Sequence, residues 1–386
     1  MYDIEALRRE QFPFSAELAY FNHASISPLP QAVLQRTQHA AAGLAADPNR
    51  LFMEELMPML ERLAERGRRF LNAARADEIV GTSATSAAIS AVASAIPWQE
   101  GDNVIFCELE FPSNAYPWMT VPYPGVEARI IPAVDGGLTL DGLLPYVDDR
   151  TRVIAASAIQ FFSGHRTNLA AIGAFCRERG ILFVVDAIQS IGHMVTDVQA
   201  MNIDVLASGG QKSLLALPGT GVLYVRAEVA ERLQPKPIGP SATRDSMHWL
   251  DYDLTPLPAA QRFGMGTPNV LGLFALDASL QLLETLGVEN IDRHTTALSA
   301  AAIAMLERLG YEVATPPGHG PIVTFCPRLD DAGADAAVAA LEERQISICK
   351  RWDARRTPYL RLSFHAYNTL DELQRFEDAW REVAPH

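Results

Sequence analysis

The chain has 386 residues, of which 48% are apolar, and its 46 acidic and 32 basic residues give a formal net charge of −14. This length and apolar content suffice for one large domain plus a smaller one, and they argue against a small repeat array or a disordered chain. Because no run of Lys or Arg compensates the negative charge, attraction to a phosphate backbone would be weak, and we expect no nucleic-acid partner.

The first residues, MYDIEALRRE, are charged, and the strongly apolar stretches along the chain are interrupted by charges well before they reach membrane-spanning length. The cysteines are scattered without a CxxC pair, which is typical of reduced thiols and not of a disulfide framework or a zinc cluster. They are Cys107, Cys176, Cys326 and Cys349. We therefore expect a cytoplasmic protein with no membrane partner and no metal.

Between residues 79 and 225, short runs rich in β-branched residues alternate with Ala- and Leu-rich stretches. The apolar runs are IVGTS, NVIFCE, RVIAASAIQ, ILFVVDA, DVLASG and GVLYV. Helical spacing is clear at 85–96 and at 169–180, where Gly180 is the expected C-cap. This alternation predicts an α/β fold with a mostly parallel central sheet and helices on both faces, in which ligands bind at the strand ends.

The C-terminal part of the chain has a different pattern. Residues 234–258 contain five prolines, which predicts a long ordered loop or an active-site cover. Helical stretches at 270–287 and 292–309 then lead to the short strands YEVAT, PIVTFC, ISICK and YLRLSF, with a helix at 331–344 among them. This pattern predicts a smaller α+β domain.

We predict a division into two domains from these changes of pattern. The large domain would comprise residues 15–265 and carry the sheet and its ligand. The small domain would comprise residues 1–14 and 266–386.

Asp186 and Lys212 follow neighbouring strands of the predicted sheet. Asp186 closes the apolar strand ILFVVD, and Lys212 lies in the turn SGGQK after IDVLASG. A lysine amine can form a Schiff base with pyridoxal 5′-phosphate (PLP), and a strand-end carboxylate can keep the pyridine nitrogen of PLP protonated. Taken singly, Asp186 could be a helix N-cap and Lys212 a solvated lysine; the pairing favours a PLP site.

Three further features fit the same site, each with a plainer alternative. In GTSATSAAIS, the backbone N–H groups of Ala84, Thr85 and Ser86 could hold a phosphate at a helix N-terminus, or the segment could be an ordinary Ser/Thr cap. Phe111 could lie over a planar ring or belong to the core. Arg361, on the strand YLRLSF, could bind a substrate carboxylate or form a surface ion pair.

Together these segments resemble the class V aminotransferase family of fold-type I PLP enzymes, which includes cysteine desulfurases and isopenicillin-N-epimerase-like proteins. The resemblance extends from YFNHASISPLP (20–30) to RLSFHAYNT (361–369). It implies a fold-type I PLP-transferase, with Lys212 as the Schiff-base lysine, Asp186 as the partner of the ring nitrogen and Arg361 as the α-carboxylate clamp.

The resemblance also implies roles for several neighbouring residues. Gln160 and Gln189 would contact the ring hydroxyl, and Phe111 stands where the family places its stacking residue, often a histidine. Positions matching the phosphate side are Ala84, Thr85 and Gln211. His23 and His365 would line the substrate side, and His165 and Arg166 follow the Gln160 strand and could face the site.

The segment RFGMGTPN (262–269) resembles one that the family inserts into the neighbouring subunit, so Thr267 would reach the cofactor phosphate of a second copy. This implies a homodimer with shared active sites. One departure concerns sulfur chemistry. Cysteine desulfurases carry a reactive cysteine on the loop before the arginine strand, whereas here Cys349 comes earlier and the loop DARRT contains none.

We therefore predict a PLP-dependent transferase or lyase that acts on a small amino acid. Chemistry of the aminotransferase type is our first hypothesis. The alternatives are a carbon–sulfur lyase or cysteine desulfurase-like enzyme, an amino-acid epimerase and, last, a non-catalytic PLP-binding module. The substrate itself depends on loop geometry that a single sequence does not give.

Overall fold

A computed structural model describes residues 2–236, 238–244 and 250–384. The predicted loop or cover at 234–258 falls partly outside these residues. The strands are β1 Ala19–Tyr20, β2 Ile79–Thr82, β3 Asn103–Cys107, β4 Glu127–Ile131, β5 Thr151–Ser157, β6 Leu182–Asp186, β7 Val205–Gly209, β8 Gly221–Val225, β9 Glu312–Val313, β10 Ile322–Cys326, β11 Ile346–Ser347, β12 Cys349–Trp352 and β13 Pro358–Ser363.

The α-helices are α1 Ile4–Gln11, α2 Gln31–Ala46, α3 Pro48–Arg50, α4 Met57–Leu71, α5 Thr85–Ala95, α6 Tyr116–Met119, α7 Leu140–Leu143, α8 Leu169–Arg179, α9 Ala227–Ala230, α10 Val270–Leu286, α11 Val288–Arg308, α12 Asp331–Glu343 and α13 Leu370–Val383. A π-helical segment, Leu51–Leu56, precedes α4. Short 3₁₀ helices are Pro13–Ala16, Ala76–Glu78, Pro112–Asn114, Leu144–Tyr146, Pro240–Ala242 and Ala259–Phe263.

A seven-stranded sheet with the order β2-β8-β7-β6-β5-β3-β4 forms the centre of the molecule. The pairs among β7, β6, β5, β3 and β4 are parallel, whereas β8 is antiparallel to both β7 and β2. The mostly parallel sheet is therefore as predicted. The antiparallel direction of β8 was not predicted because direction depends on connections. Edge strand β4 was not predicted because it mixes charged and exposed residues with partly buried ones instead of forming an apolar run.

The strands are almost uniformly apolar because successive side chains enter hydrophobic clusters on opposite faces of the sheet. Phe183 and Val185 of β6 pack into the core cluster on one face of the sheet, and Val184 packs into the cluster on the other. Helix α5 covers this second face, whereas α2, α4, α8 and α10 supply side chains to the first. A strand that is covered on both faces has no side exposed to solvent, so the side chains on both of its faces are hydrophobic.

A second sheet, with the order β12-β13-β10-β9, is antiparallel and has its own hydrophobic cluster. Helices α11, α12 and α13 contribute Leu298, Leu341 and Trp380 to it, among others. The predicted α+β character of the C-terminal part is visible here. The N-terminal strand β1 pairs with β11, and Phe21 packs into this same cluster.

Membership of the hydrophobic clusters gives a domain division that differs from the sequence-based one. Helix α10 belongs to the large cluster through seven buried residues, among them Phe274 and Leu280, although the sequence division at 265/266 assigns it to the small domain. Conversely, Leu7 and Phe12 lie in the large cluster. The division at 15–265 stays a prediction, and contacts alone would move these segments between its two parts.

Among the described residues, the structure contains no single helix that is both long and apolar enough to cross a membrane. Helices α10 and α11 meet the length and composition criteria only when taken together, and they are bent by 77° relative to each other.

Gly173 allows α8 to approach the backbone that leads into β7. A Cβ at this position would lie 1.9 Å from the carbonyl oxygen of Met201, so the backbones would have to separate. We expect Gly173→Ala to destabilise the protein by about 1–3 kcal/mol through overpacking, against a gain of about 1 kcal/mol in helix propensity. Urea unfolding followed by circular dichroism measures the difference.

Gly67→Ala in α4 is the matched control, because its Cβ would meet only the Cγ2 of Ile79, at 3.0 Å, and a side chain can move. This variant should be nearly neutral or slightly stabilised. Equal unfolding midpoints for the two variants would contradict the proposed backbone contact.

Candidate functional site

The chain contains only three lysines, and they differ sharply in environment. Lys236 is exposed. Lys350 is held between the carboxylates of Asp331 and Asp335 on α12. Lys212 alone is buried, with 8% of its surface exposed. Because a buried lysine needs a compensating partner or a function, Lys212 is the lysine on which a site can be centred.

The backbone around Lys212 is held from two sides. The amide N–H of Gly209, at the end of β7, donates to the Oγ1 of Thr85 at the start of α5, at 2.8 Å. The hydroxyl of Ser27 donates to the carbonyl oxygen of Lys212, and the amide of Ser27 donates to the carbonyl oxygen of Gln211 at 2.8 Å. The lysine is therefore fixed by the strand end and by the N-terminal segment together.

The ammonium form of Lys212 is disfavoured at this position. Burial lowers the pKa of its amine to about 8, and the positive charges of Arg361 and Arg351 lower it as well, while the carboxylate of Asp186 opposes them. Its Nζ lies 5.0 Å from the ring centroid of Phe111. About a tenth of this amine is therefore uncharged at pH 7, far more than for an ordinary lysine, and the neutral form is the one that a nucleophile or base requires.

Asp186 ends β6 in register with Ser157 of β5, at the edge where both strands open. Its Oδ1 accepts a hydrogen bond from the amide of Ile188 at 3.0 Å, and residues 187–190 form a turn and not the helix that the capping alternative required. Burial raises the pKa of Asp186 to about 6, although the Ile188 amide and the charge of Lys212 lower it.

Glu110 is a buried member of the site that the sequence analysis missed. Its carboxylate accepts four hydrogen bonds, from the amide and hydroxyl of Ser157, from Nδ2 of Asn114 and from Nε2 of Gln160, at 2.5–3.0 Å. Burial raises the pKa of Glu110 to about 7; the hydrogen bonds lower it, and the charge of Asp186 raises it. A charged residue directly before Phe111 and after an apolar strand was the available signal.

The two glutamines predicted near the ring hydroxyl are both buried. Nε2 of Gln160 donates to Glu110, whereas its Oε1 has no hydrogen-bond partner among the described residues. Nε2 of Gln189 donates to the carbonyl oxygen of Ala24 at 2.9 Å. A buried amide oxygen without a donor is costly. Gln160 therefore has an unused acceptor that a hydroxyl could satisfy.

Helix α5 begins without a side-chain cap, since Ala84 occupies the N-cap position. Helices α2, α4 and α11 also begin without one, whereas α1, α8, α10, α12 and α13 are each capped by an Asp, Asn or Thr side chain. The Ser/Thr cap that was the alternative explanation of this segment is therefore not formed at α5. Thr85 is buried and Ser86 is exposed, so the first turn of α5 lies at the rim of the site.

Arg361 lies on β13 and is only 1% exposed, so the surface ion pair that was its alternative is not formed. Its Nη1 donates to the carbonyl oxygen of Phe161 at 2.6 Å and its Nη2 to the Oγ of Ser25 at 2.9 Å. The ring of Phe161 packs edge-on against Phe111 at 5.1 Å. These contacts connect Arg361, through the aromatic wall, to the space around Lys212.

His23 and His365 form a buried cluster with His193. His365 Nε2 pairs with the carbonyl oxygen of Ser213 at 3.0 Å, and the rings of His193 and His365 are 4.1 Å apart. His23 contacts Ser27, which in turn bonds to the lysine backbone. Burial lowers the pKa of His365 to about 4. The observed contacts support the lysine turn, and the predicted contact of His23 and His365 with substrate stays a prediction.

Other predicted residues lie apart from this group in the described contacts. Thr267 is exposed in the segment before α10, where a second subunit would be needed to give it a cofactor. Arg166 forms a bidentate ion pair with Asp292 at 2.8–2.9 Å, and His165 is buried against the backbone at Gly137. Arg166 is thus paired with Asp292, so the possibility that it faces the site finds no support in these contacts.

These features satisfy the chemical requirements of the predicted cofactor. PLP needs an amine for its aldehyde, a carboxylate for its ring nitrogen, an acceptor near its hydroxyl and N–H donors for its phosphate. The buried pair Lys212 and Asp186, the unpaired oxygen of Gln160 and the uncapped start of α5 at Ala84 supply these groups at one edge of the sheet. The donor set therefore fits PLP.

Comparison with known proteins agrees with this fit. The chain is 29% identical over 392 residues to a probable cysteine desulfurase of Methanothermobacter thermautotrophicus, with 97% of each chain covered. It is 32% identical over 323 residues to a cysteine desulfurase of Pectobacterium atrosepticum, covering 80% of this chain and 78% of the relative. The solved structure of a C-DES variant with glycine covalently linked to the PLP cofactor superposes with a TM-score of 0.87 at 20% identity, covering 97% of this chain and 98% of that one.

The sequence model of the aminotransferase class-V family matches residues 19–376, almost the entire chain. The resemblance inferred from the motifs is therefore confirmed, and with it the fold class, the PLP cofactor and the assignment to transferases or lyases. This chain belongs to the aminotransferase class-V family of fold-type I, PLP-dependent enzymes.

Proposed function

We propose that this protein binds PLP through Lys212 and acts on the α-carbon of a small amino acid, with Lys212 as both Schiff-base residue and proton carrier. The observation that carries this proposal is the buried Lys212 amine, whose pKa is lowered to about 8 beside the carboxylate of Asp186. No other lysine in the described part of the chain combines burial with such a shift.

Each side of the cofactor would have a residue to hold it. Asp186 would pair with the ring nitrogen, Phe111 would cover the ring face, and Gln160 and Gln189 would meet the ring hydroxyl. The phosphate would bind at the first turn of α5, which Ala84, Thr85 and Ser86 begin, next to Gln211. Bound PLP supplies an electron sink that makes a proton on the substrate α-carbon removable.

The protein groups would then move and direct that proton. When the substrate amine has taken the place of Lys212 on the cofactor, the Nζ of Lys212 is a free amine. It can accept the α-proton and return it to another atom. Arg361 would hold the substrate carboxylate and so fix which bond faces Lys212. Phe111 and Phe161, packed edge-to-face, would limit access of water to the amine.

We propose chemistry of the aminotransferase type as the first choice and a carbon–sulfur lyase as the second. The curated relatives named cysteine desulfurase favour the second. Transfer of sulfur to a protein thiol is less well supported, because the loop between β12 and β13 contains no cysteine and the Sγ of Cys349 is buried 3.5 Å from the Oγ of Ser25. Sulfur would therefore leave as a small molecule.

We also propose a homodimer with shared active sites. The support is a group of exposed apolar side chains around the segment predicted to enter a neighbouring subunit. They are Ile238, Leu250, Tyr252, Leu254 and Met265, with 42–91% of their surface exposed. Such a concentration is unusual on a monomer surface and typical of an interface. Thr267 lies two residues beyond Met265.

The reaction type is tested by product analysis. We expect the protein to convert an amino acid to its keto acid beyond one equivalent per active site only when a second keto acid is present as acceptor. Lys212→Ala should lose turnover by about 100-fold or more together with the visible absorbance of bound cofactor. Lys236→Ala, at an exposed lysine, is the control and should keep both. Sulfide and pyruvate from cysteine without any acceptor would select the lyase, and full turnover by Lys212→Ala would reject the proposal.

The rate of PLP capture by cofactor-free protein should depend on the charge of Lys212. Because only the neutral amine attacks the aldehyde, the rate should rise with pH and level off above about 8, whereas an ordinary lysine would still be gaining near its pKa of about 10.4. Arg361→Gln removes a positive charge and should move the midpoint to higher pH. Asp186→Asn removes a negative charge and should move it to lower pH. Stopped-flow absorbance measures these midpoints, and shifts in the same direction would contradict the assignment.

Light scattering after gel filtration tests the dimer. We expect twice the chain mass of 42.2 kDa for the wild type. Met265→Asp should shift the equilibrium towards monomer because a buried unpaired carboxylate is costly at an interface. Met53→Asp, at a similarly exposed methionine elsewhere on the surface, is the control. A monomeric wild type at micromolar concentration would refute the shared site.

A further inference from the structure

Two arginines converge on one hydroxyl beside the proposed substrate position. Nη2 of Arg361 and Nη2 of Arg351 both donate to the Oγ of Ser25, at 2.9 and 2.7 Å. The two nitrogen atoms are therefore at most about 6 Å apart. Two guanidinium groups at this distance repel each other unless an anion lies close to both.

The sheet register explains why these side chains meet. Arg361 of β13 is paired with Cys349 of β12, so their side chains lie on the same face. Arg351 is two residues further along β12, and side chains two apart on a strand also share a face. Arg351 is thus a diagonal neighbour of Arg361, within reach of the same ligand.

Neither guanidinium group meets a carboxylate among the residues that the structure describes. Arg361 has a backbone carbonyl and a serine hydroxyl as its acceptors, and its buried Nε has no partner. Arg351 donates to the backbone carbonyl oxygen of the adjacent Lys350 and to the hydroxyl of Ser25. Other arginines in the described part of the chain do meet a carboxylate, as Arg166 with Asp292 and Arg226 with Asp204 illustrate.

The location of the pair specifies the kind of anion. Arg361 donates to the carbonyl oxygen of Phe161, whose ring packs against Phe111 beside the Lys212 amine. The charges of both arginines also lower the pKa of that amine, so the pair lies near the space where the substrate amino group would bind. The chain has a net charge of −14, yet Lys212, Arg351 and Arg361 form a local basic pocket. Among the described residues no carboxylate bonds to either arginine, and the thiol of Cys349 is the other acidic group beside Arg361. Such a pocket favours a ligand with more than one negative charge.

We propose that Arg351 and Arg361 form a two-carboxylate clamp, and that the preferred substrate is an amino acid whose short side chain ends in a second acidic group. Arg361 binds the α-carboxylate, Arg351 binds the side-chain acid, and Ser25 holds the two guanidinium groups in position before substrate arrives. This inference rests on the proposed function and narrows its small amino acid to a dianionic one.

A different arrangement uses the same residues, with both arginines on one α-carboxylate. An experiment can separate the two arrangements. If each arginine binds its own acidic group, the protein prefers diacids to monoacids; if both arginines bind one carboxylate, it shows no such preference. Arg351 is half-buried, whereas Arg361 is fully buried, so substitution at Arg351 disturbs the fold less.

The test is calorimetric titration of the PLP-loaded protein with succinate and with butyrate, which have four carbons each, lack an amino group and so bind without turnover. We expect succinate to bind about tenfold to a hundredfold more tightly, as one additional charged hydrogen-bonded pair provides. Arg351→Gln should abolish this preference while leaving butyrate binding unchanged. Arg361→Gln should weaken both ligands.

Arg355→Gln is the matched control, since Arg355 is exposed on the loop that follows β12 and its loss removes the same charge. It should keep the preference for succinate. The proposal is overturned if the wild type binds succinate and butyrate equally, or if Arg351→Gln weakens both to the same extent.

Failure of this inference is distinguishable from failure of the proposed function. A protein that binds PLP and processes monoacidic amino acids, but does not prefer succinate, would keep the function and lose the clamp. A protein that PLP cannot load, and whose absorbance no amino acid changes, would lose the function whatever the titrations give.

Discussion

The burial of one amine at the open edge of a parallel sheet is the constraint on which this site depends. Lys212 is buried after the end of β7; two arginines oppose its charge, whereas the carboxylate of Asp186 and the ring face of Phe111 favour it. Removing an ammonium group from water is costly, so burial lowers the pKa of the amine and increases its neutral fraction. The same cost that would weaken an ordinary core creates a nucleophile near neutral pH.

The surrounding residues act mainly by fixing this amine and its counter-charges. Ser27, Thr85 and the histidine cluster hold the backbone of the lysine turn, while Glu110 collects four hydrogen bonds beside Asp186. Because Glu110 and Asp186 are both buried acids, each disfavours ionisation of the other. The site is thus a balance of buried charges in which a change at one group alters the protonation of the next.

The lysine end and the arginine end of the site rest on different hydrophobic clusters. The two clusters of the seven-stranded sheet support the strand ends that carry Asp186 and Lys212. The cluster of the four-stranded sheet supports the sheet that carries Arg351 and Arg361. A substrate would therefore contact groups that belong to different packing units. A substitution on β12 would change the proposed acid-binding end while leaving the strand ends that carry Lys212 and Asp186 in place, although loss of Arg351 would also remove one of the charges that lower the pKa of the amine.

The sequence by itself determined the parallel sheet, its helical cover and the pair Asp186 and Lys212, because strand periodicity and strand-end chemistry are local patterns. The sequence also indicated Arg361 as a candidate, because the alternation of apolar and polar residues along its strand is likewise a local pattern. Only the tertiary structure decided the antiparallel direction of β8, the buried position of Glu110 and the convergence of Arg351 with Arg361 on Ser25. Those features depend on strand direction and register between segments far apart in the chain, which no local pattern encodes.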